Sequence, residues 1–336
     1  MKRNMNTWKD DIIAAPVKQP LPILTFPVIK LLKITVNEMI SNSETQAKAM
    51  KLLADRNQSL AAVSMMDLSI EAEAFGSKIQ IPDDEVPVVV DIIVNNQEEA
   101  DRLVVPAIGS GRTQIYIDAM SKAVELISDR PVFAGVIGPF SLAGRLIGTA
   151  EIMKACKRQG AMVHTVMEKC TQFVASYIQA YKSVGSNGIL MAEPLTGLLP
   201  PKMAAEFSEP YVKRIIDSVQ SDDFMVMYHN CGNNTMLMVD SLLRVGAKGY
   251  HFGNAIKMEQ AVASIPSDIL CMGNIDPGSF VYQTPEKLYM ETQEVMSACG
   301  HAPNFVISSG CDIPPMAEWA NIDAFYKAAS DFYDNR

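Results

Sequence analysis

Short apolar runs rich in β-branched residues alternate with helical patterns along most of this 336-residue chain. The alternation is typical of a parallel α/β fold, because a helix has to carry the chain back between parallel strands. Eight such runs are present, and eight strands close an α/β barrel. We therefore expect a single (β/α)8 (TIM) barrel with strands at residues 22–26, 61–66, 131–137, 188–191, 224–228, 249–252, 269–273 and 304–308.

The chain contains no low-complexity stretch or Gly/Ser-rich linker, so we expect one domain. Its length is large for one domain, but α/β barrels commonly reach this size. We expect residues 1–20 to form an N-terminal extension and residues 21–336 to form the barrel domain. Residues 79–94 are extended and predict an inserted, hairpin-like segment. Apolar residues at helical spacing predict helices over 155–184 and 234–245.

Composition excludes several classes of function. The formal charge of −9 argues against a nucleic-acid partner, since phosphate binding needs clustered Lys and Arg. No segment approaches the roughly 18 uninterrupted apolar residues of a membrane span, and the polar N-terminus does not resemble an export signal. Six cysteines are too few for a disulfide scaffold of this size. We expect a cytoplasmic protein with reduced cysteines, some of which bind a metal.

Three metal-binding residue types follow two of the expected strands. His229 and Cys231 follow the fifth run, and Cys311 follows the eighth, so all three fall at the carboxyl end of the barrel, where active sites of such barrels lie. One imidazole and two thiolates supply three of the four donors of a tetrahedral zinc ion and leave the fourth position open for catalysis. The spacing alone leaves a second interpretation open, namely two unrelated buried cysteines and a loop histidine.

Three further residues need an assignment. Glu193 directly follows the fourth run, and we expect its carboxylate to point into the site; the alternative is a solvated loop carboxylate. His251 ends the sixth run, where it either hydrogen-bonds to a metal ligand or packs in the core. Cys271 lies in the middle of a strand and is expected to be a core residue.

Longer motifs resemble those of one known family. They read Asp-Leu-Ser-Ile-Glu-Ala-Glu-Ala-Phe-Gly at 67–76, Gly-Val-Ile-Gly-Pro-Phe-Ser-Leu-Ala at 135–143 and Gly-Asn-Ile-Asp-Pro at 273–277, beside the His-x-Cys and Gly-Cys-x-Ile-Pro-Pro pieces. With these motifs the chain resembles the uroporphyrinogen decarboxylase superfamily, and within it the zinc-dependent corrinoid methyltransferases that serve coenzyme M. The resemblance implies a TIM barrel, in agreement with the strand count.

The resemblance also implies roles for individual residues. His229, Cys231 and Cys311 would bind zinc, and Glu193 would be a fourth ligand that the substrate displaces. The strand-end residues Asp67, Asn274 and Asp276 would hold the rest of the substrate or hydrogen-bond to the ligands; simple hydrogen bonding at the barrel mouth is the alternative. Arg145 is the arginine best placed to receive the sulfonate of coenzyme M.

The implied reaction is methyl transfer. Two thiolates and a neutral imidazole would cancel the charge of zinc, and a substrate thiol bound there would have its pKa lowered from about 8.5. The helix over 234–245 would place its positive end near Cys231. The thiolate would attack the methyl group of a methylcobamide carried by a corrinoid partner protein. Iron or cobalt could satisfy the same ligands.

Three alternatives stay open. The metal could instead activate a methylated oxygen or nitrogen compound whose methyl group passes to the corrinoid. It could be purely structural, with the barrel serving as a corrinoid-protein binder. Porphyrinogen decarboxylation fits poorly, since the first 55 residues contain too few arginines for a substrate with many carboxylates, and since the decarboxylase has a histidine in place of Cys311. A homo-oligomer is compatible with each alternative.

Overall fold

Nine strands are present in residues 3–334, the part of the chain that the structure, a computed structural model, describes. They are β1 (Ala62–Val63), β2 (Ile79–Gln80), β3 (Val88–Val89), β4 (Val132–Ile137), β5 (Gly188–Ala192), β6 (Met225–Asn230), β7 (Gly249–Phe252), β8 (Leu270–Ile275) and β9 (Phe305–Ser309). Seven of them form one curled sheet in the order β1-β4-β5-β6-β7-β8-β9, and all neighbours are parallel. β2 and β3 form a separate antiparallel pair within the segment where a hairpin was expected.

The strands of the sheet are buried on both faces, as expected of a parallel sheet covered by helices. Alternate residues divide between two clusters. One face packs against the helices, for example through Ile189 and Tyr228. The other face forms an interior cluster to which the strands contribute Val63, Phe133, Leu190, Ala192, Met225, Met227, Leu270, Met272 and Val306.

Helices connect successive strands and cover the outer face. In the described part of the chain they are α1 (Met5–Ala14), α2 (Val28–Leu32), α3 (Val36–Ile40), α4 (Ser43–Arg56), α5 (Ile70–Ala74), α6 (Gln97–Arg102), α7 (Thr113–Leu126), α8 (Pro139–Ile147), α9 (Thr149–Arg158), α10 (Gly160–Ser183), α11 (Pro201–Phe207), α12 (Glu209–Val219), α13 (Val239–Val245), α14 (Met258–Ser264), α15 (Ser279–Tyr282), α16 (Pro285–Cys299) and α17 (Trp319–Asp334). None of them is long and apolar enough to cross a membrane.

The expected first strand, at residues 22–26, is not a strand, so that prediction is wrong. Pro20 and Pro22 lack the N–H groups that a strand ladder requires. The segment instead makes isolated bonds on both sides. Leu21 N–H donates to the carbonyl of Ile307 in β9 at 3.0 Å, and Leu60 N–H, just before β1, donates to the carbonyl of Pro20 at 3.1 Å. The segment therefore lies between the two edge strands of the sheet without forming regular pairs with them.

Three other boundaries differ from the expectation. The second expected strand shrinks to the two residues of β1. The expected helix over 155–184 is two helices, α9 and α10, because Gln159 between them leaves the helical conformation. The expected helix over 234–245 starts as a 3-10 turn (Thr235–Met238), and α13 begins only at Val239. That helix starts eight positions after Cys231, so its dipole does not act on this thiol.

Helix α1 covers the end of the sheet opposite the strand carboxyl ends. Met5 and Ile12 belong to the interior cluster, and the ring of Trp8 lies 5.8 Å from that of Phe133. Met5 N–H donates to the carbonyl of Asp222, which lies shortly before β6, at 2.6 Å. Because this end is filled by a helix, the carboxyl ends of the strands are left as the open end of the fold.

Candidate metal centre

His229, Cys231 and Cys311 lie next to one another at the carboxyl edge of the sheet. His229 is in β6, on the same face as Met227, so its imidazole points into the interior. A hydrogen bond from the Cys311 thiol lowers the pKa of Cys231. The same bond and burial raise the pKa of Cys311 to about 12, and the neighbouring imidazole of His229 opposes the rise. The structure thus brings together three residues that are up to 82 positions apart in the sequence.

The donor chemistry of this cluster suits zinc. The Nε2 atom of His229 is buried and has no hydrogen-bond partner, which is unusual for a native polar atom. Both thiols beside it are partly exposed, and one imidazole with two cysteines is a known zinc ligand set. Across residues 3–334 no three His, Cys, Asp or Glu side chains stand as a ready ligand set. The three residues are therefore close to one another and are of the types that bind zinc, but their side chains are not arranged around a common point.

A chain of hydrogen bonds runs from His229 through His251 and Ser308 to the backbone carbonyl of Leu21. The Nδ1 atoms of His229 and His251 lie 2.7 Å apart. His251 Nε2 is 2.7 Å from Ser308 Oγ, and that hydroxyl donates to the carbonyl of Leu21 at 2.7 Å. Burial and the adjacent His229 ring lower the pKa of His251 well below its usual value. His251 therefore contacts a proposed ligand, one of the two roles considered for it.

Glu193 lies outside this cluster. It follows β5, where Leu190 and Ala192 face the interior, so alternation turns Glu193 toward the helices. Its carboxylate accepts the backbone N–H groups of Phe140 at 3.1 Å and Ser141 at 2.6 Å, at the start of α8. Burial raises the pKa of Glu193 to about 7. Its carboxylate oxygens are therefore bound to the first turn of α8 and not to a residue of the cluster.

Close backbone contacts at glycines pack the loops around the cluster. A Cβ atom on Gly253 would lie 2.3 Å from the Cβ of Cys231. A Cβ on Gly232 would lie 2.2 Å from the carbonyl carbon of Gly197, so the loops after β5 and β6 touch through their backbones. A Cβ on Gly310 would lie 2.6 Å from the amide nitrogen of Asn254. These contacts fix the loops that carry both cysteines.

Asp67 belongs to a buried ionic network that the sequence did not reveal. Its carboxylate pairs with Arg112 and accepts the hydroxyl of Tyr116 at 3.0 Å and that of Ser69 at 2.5 Å. Arg112 also pairs with Glu73 at 2.6 Å. The charge of Asp67 is thus compensated within the protein. The only sequence signal for Arg112 was its place directly after the glycine-rich Gly-Ser-Gly turn at 109–111.

Glu71 is a buried acid beside this network. Its Oε1 atom accepts the backbone N–H of Ile137 at 3.0 Å, and its Oε2 atom is buried without a partner. Burial is the main cause that raises the pKa of Glu71 to about 7, and the charge on Asp67 adds to it. Glu71 is part of the motif at residues 67–76.

The remaining predicted site residues have different surroundings. Arg145 is half-buried in α8; burial lowers its pKa, and attraction to Asp67 partly opposes this. Asn274 is buried and donates to the carbonyls of Gly253 at 2.9 Å and Ile256 at 2.6 Å. Asp276 is exposed and accepts the backbone N–H of Gly278. Asn274 and Asp276 therefore hydrogen-bond to the backbone of the loops that follow β7 and β8, and their part in substrate binding stays a prediction.

Large apolar side chains are exposed on loops that follow the carboxyl ends of strands. Leu237 follows β6 and is 68% exposed, and Tyr282 follows β8 and is 89% exposed. These loops lie at the end of the sheet that carries the three candidate ligands, and large exposed apolar side chains there are a reason to consider a covering partner. We call this set the apolar rim; it consists of Leu198, Leu237, Tyr282 and Met316.

Comparison with known proteins adds a family and relatives. The uroporphyrinogen decarboxylase (URO-D) family matches residues 24–332. The methylcobamide:CoM methyltransferase MtbA of Methanosarcina mazei is 27% identical over 277 residues, which cover 79% of this chain and 78% of that protein. Uroporphyrinogen decarboxylase of Desulfotalea psychrophila is 30% identical over 65% of this chain and 64% of that protein. A solved methyltransferase from Methanosarcina mazei has the same fold, with a TM-score of 0.86 at 21% identity over 99% of both chains.

Proposed function

The chain belongs to the uroporphyrinogen decarboxylase family, and we propose that it is a methyltransferase of that family that exchanges a methyl group with a corrinoid. In this proposal His229, Cys231 and Cys311 bind zinc. The observation that carries it is that His229, Cys231 and Cys311 are neighbours at the open end of the sheet, where the buried Nε2 atom of His229 has no hydrogen bond of normal geometry. The names of the methylcobamide:CoM methyltransferase relatives supply the reaction class.

The chain's own residues provide the binding site and its electrostatics. When bound, zinc would lower the pKa of a substrate thiol and hold it in position as a nucleophile. Cys231 and Cys311 would release their protons and supply negative charge, while His229 would supply an uncharged nitrogen. The interior cluster below, with Met227 and Met272, keeps water from approaching the site from inside the barrel.

The fourth position of the proposed site is open to substrate. Glu193 was expected to occupy it at rest, but its carboxylate would first have to leave the amides of Phe140 and Ser141. Two charge-assisted hydrogen bonds to a helix start hold it where it is. We therefore propose a site with three protein ligands and assign Glu193 to positioning α8 beside it.

The proposed acceptor is a small thiol that carries an anionic group, such as coenzyme M. Arg145 is the candidate counter-charge, because it is half-buried and near Asp67, whose own charge is already compensated by Arg112. An arginine that is not neutralised by a partner can bind a sulfonate or carboxylate strongly. Asp67, Asn274 and Asp276 would act by holding the mouth in shape and would leave Arg145 to meet the substrate.

A corrinoid protein is the proposed partner. The apolar rim lies on loops at the strand carboxyl ends and would suit a protein that covers this end while its cofactor enters the site. We also propose that the barrel is closed, with the irregular segment from Pro20 taking the place of the expected first strand between β9 and β1. In this proposal residues 1–20 are an extension and residues 21–336 are the barrel domain. Reduced cysteines at the site match a cytoplasmic location.

A two-armed transfer assay tests the proposed function. One arm contains zinc-loaded protein, free methylcobalamin and thiols, and the other contains cobalt(I) cobalamin with methoxylated compounds or methylamines. We expect zinc-dependent loss of the methylcobalamin absorbance in the thiol arm. Activity confined to the second arm would reverse the direction of transfer. A zinc-loaded protein inactive in both arms, or a protein that binds no zinc, would reject the proposal.

A further inference from the structure

We infer that Ser308 and His251 fix the proton position on His229, so that His229 presents a bare Nε2 nitrogen to the proposed metal site. His251 contacts only the ring of the proposed ligand His229, and Ser308 contacts His251, so both are positioning residues. The inference relies on the proposed function for the identity of the ligand at Nε2. The proton arrangement is a property of the metal-free protein and can be measured separately.

The first step is the proton count at Ser308. Its hydroxyl donates to the carbonyl of Leu21 at 2.7 Å. A serine hydroxyl carries one proton, so its second contact, to His251 Nε2 at 2.7 Å, has the imidazole as donor. This fixes the N–H of His251 on Nε2.

The second step is the contact between the two rings. A distance of 2.7 Å between the Nδ1 atoms of His229 and His251 requires one proton between them, since two bare nitrogens or two N–H groups would repel. A neutral His251 has used its only N–H at Nε2. His229 therefore donates from Nδ1, and its Nε2 atom, which is buried without a hydrogen-bond partner, is the bare nitrogen.

The rings are expected to be neutral because of their surroundings. His229 is 1% exposed and His251 is 2% exposed. In the described residues, no carboxylate hydrogen-bonds to either ring, and a buried cation without such a partner is costly. With a charged His251, the proton of a neutral His229 would instead lie on Nε2 and face the thiols.

The irregular segment that includes Leu21, next to the expected first strand that did not form, supplies the anchor. Leu21 N–H bonds to Ile307, but the Leu21 carbonyl accepts a side-chain hydroxyl, which a regular ladder would not leave free. The departure from the expected strand thus connects the backbone to a metal-ligand nitrogen through Ser308 and His251. Partners of this kind orient a metal-binding histidine, and their loss commonly weakens metal affinity about 10–100-fold.

The chain offers a matched control on the same strand. Ser309 follows Ser308 in β9 and is equally buried. Its hydroxyl accepts the backbone N–H of Ile23 at 3.0 Å, so Ser309→Ala removes one buried hydroxyl without changing the bond to the His251 ring. Ser308→Thr keeps the hydroxyl and should restore what Ser308→Ala loses.

The test has two readouts. In metal-free wild-type protein labelled with 15N at histidine, long-range 1H–15N correlation spectra should show His229 protonated at Nδ1 and His251 at Nε2. The His229 signals are identified by their loss in His229→Gln. Competition with a chromophoric chelator should show zinc affinity reduced about 10–100-fold in Ser308→Ala and unchanged in Ser309→Ala and Ser308→Thr.

Two results would overturn the inference. One is a wild-type spectrum with the proton of His229 on Nε2, which can be read even if Ser308→Ala does not fold. The other is an equal loss of zinc affinity in Ser308→Ala and Ser309→Ala, which would indicate general destabilisation. Failure of the wild type to bind zinc would reject the proposed function, while the spectrum would still decide the proton position.

Discussion

Cys231 and Gly253 lie so close that a Cβ atom on residue 253 would be 2.3 Å from the Cβ of Cys231 and 2.6 Å from its Cα. Non-bonded carbon atoms normally stay about 3.5–4.0 Å apart. The N–H of Gly253 also donates to the carbonyl of Asn230 at 3.1 Å. This hydrogen bond holds the carboxyl ends of β6 and β7 side by side. The position of one proposed ligand therefore depends on the absence of a side chain on the neighbouring strand.

Gly253→Ala should displace Cys231 and reduce zinc binding. The new methyl group would overlap backbone as well as side-chain atoms, so the loop has to move rather than a flexible side chain. We expect clearly substoichiometric zinc by atomic emission, with native circular dichroism. Gly160→Ala is the control, because a Cβ there would meet only the ring of Phe207 at 3.6 Å. A full complement of zinc in Gly253→Ala would show that Cys231 is not held in the ligand position by this contact.

Cys311→Ala should lose metal and activity together, whereas Cys271→Ala should keep both. Cys311 contacts Cys231 and His229, but Cys271 is buried in β8 on the helix-facing side. The Cys271 change removes only a buried sulfur, at a cost in unfolding free energy of about 1 kcal/mol. Metal content and the transfer assay check both variants side by side. Retention of metal by Cys311→Ala would remove this residue from the ligand set.

Glu193→Gln should retain zinc and lose stability. The glutamine carbonyl can accept a hydrogen bond from one of the two backbone N–H groups at the start of α8. Its NH2 group, which is also a donor, then faces the other N–H group. A buried donor without a hydrogen-bond partner lowers the free energy of unfolding by about 1–3 kcal/mol. Chemical denaturation measures the loss, and zinc analysis of the same sample tests the ligand role expected from the family resemblance. Zinc loss in a folded Glu193→Gln protein would restore Glu193 as a ligand.

The sequence predicted the strands well where hydrophobic runs were uninterrupted. The runs that became β4 to β9 were found within a residue or two, because a strand buried on both faces is apolar throughout. Residues 22–26 looked equally apolar, but the two prolines before and in this run prevented regular pairing. Helix breaks, such as the one at Gln159, depend on how the helices pack and left no clear pattern in the sequence.

Prediction of the site was limited by side-chain direction. His229, Cys231 and Cys311 could be grouped because all follow strand ends, and strand ends converge. Glu193 also follows a strand end but faces the helices, and an entirely apolar strand such as β5 does not reveal which of its faces is inward. The contact between His229 and His251 depends on the register of β6 and β7, which the sequence does not show.

Glu71→Gln should remove a pH dependence of stability. The pKa of Glu71 is raised from 4.5 to about 7 in the folded protein, chiefly by burial. Between these values the unfolded chain releases a proton that the folded protein keeps, so this carboxyl makes the folded state progressively less stable as the pH rises from about 4.5 to about 7. Below that window it has no effect, and above it the loss is constant, at most about 3 kcal/mol.

The glutamine variant keeps the acceptor for the Ile137 N–H and cannot ionise. Its unfolding free energy relative to wild type should therefore increase between about pH 4.5 and pH 7 and then level off. Urea denaturation at a series of pH values measures this difference. Glu99→Gln serves as the control, because Glu99 is a surface acid whose pKa is lowered by hydrogen bonds from Asn95. A difference between Glu71→Gln and wild type that stays constant across the window, or declines with rising pH, would contradict a buried acid that holds its proton near neutrality.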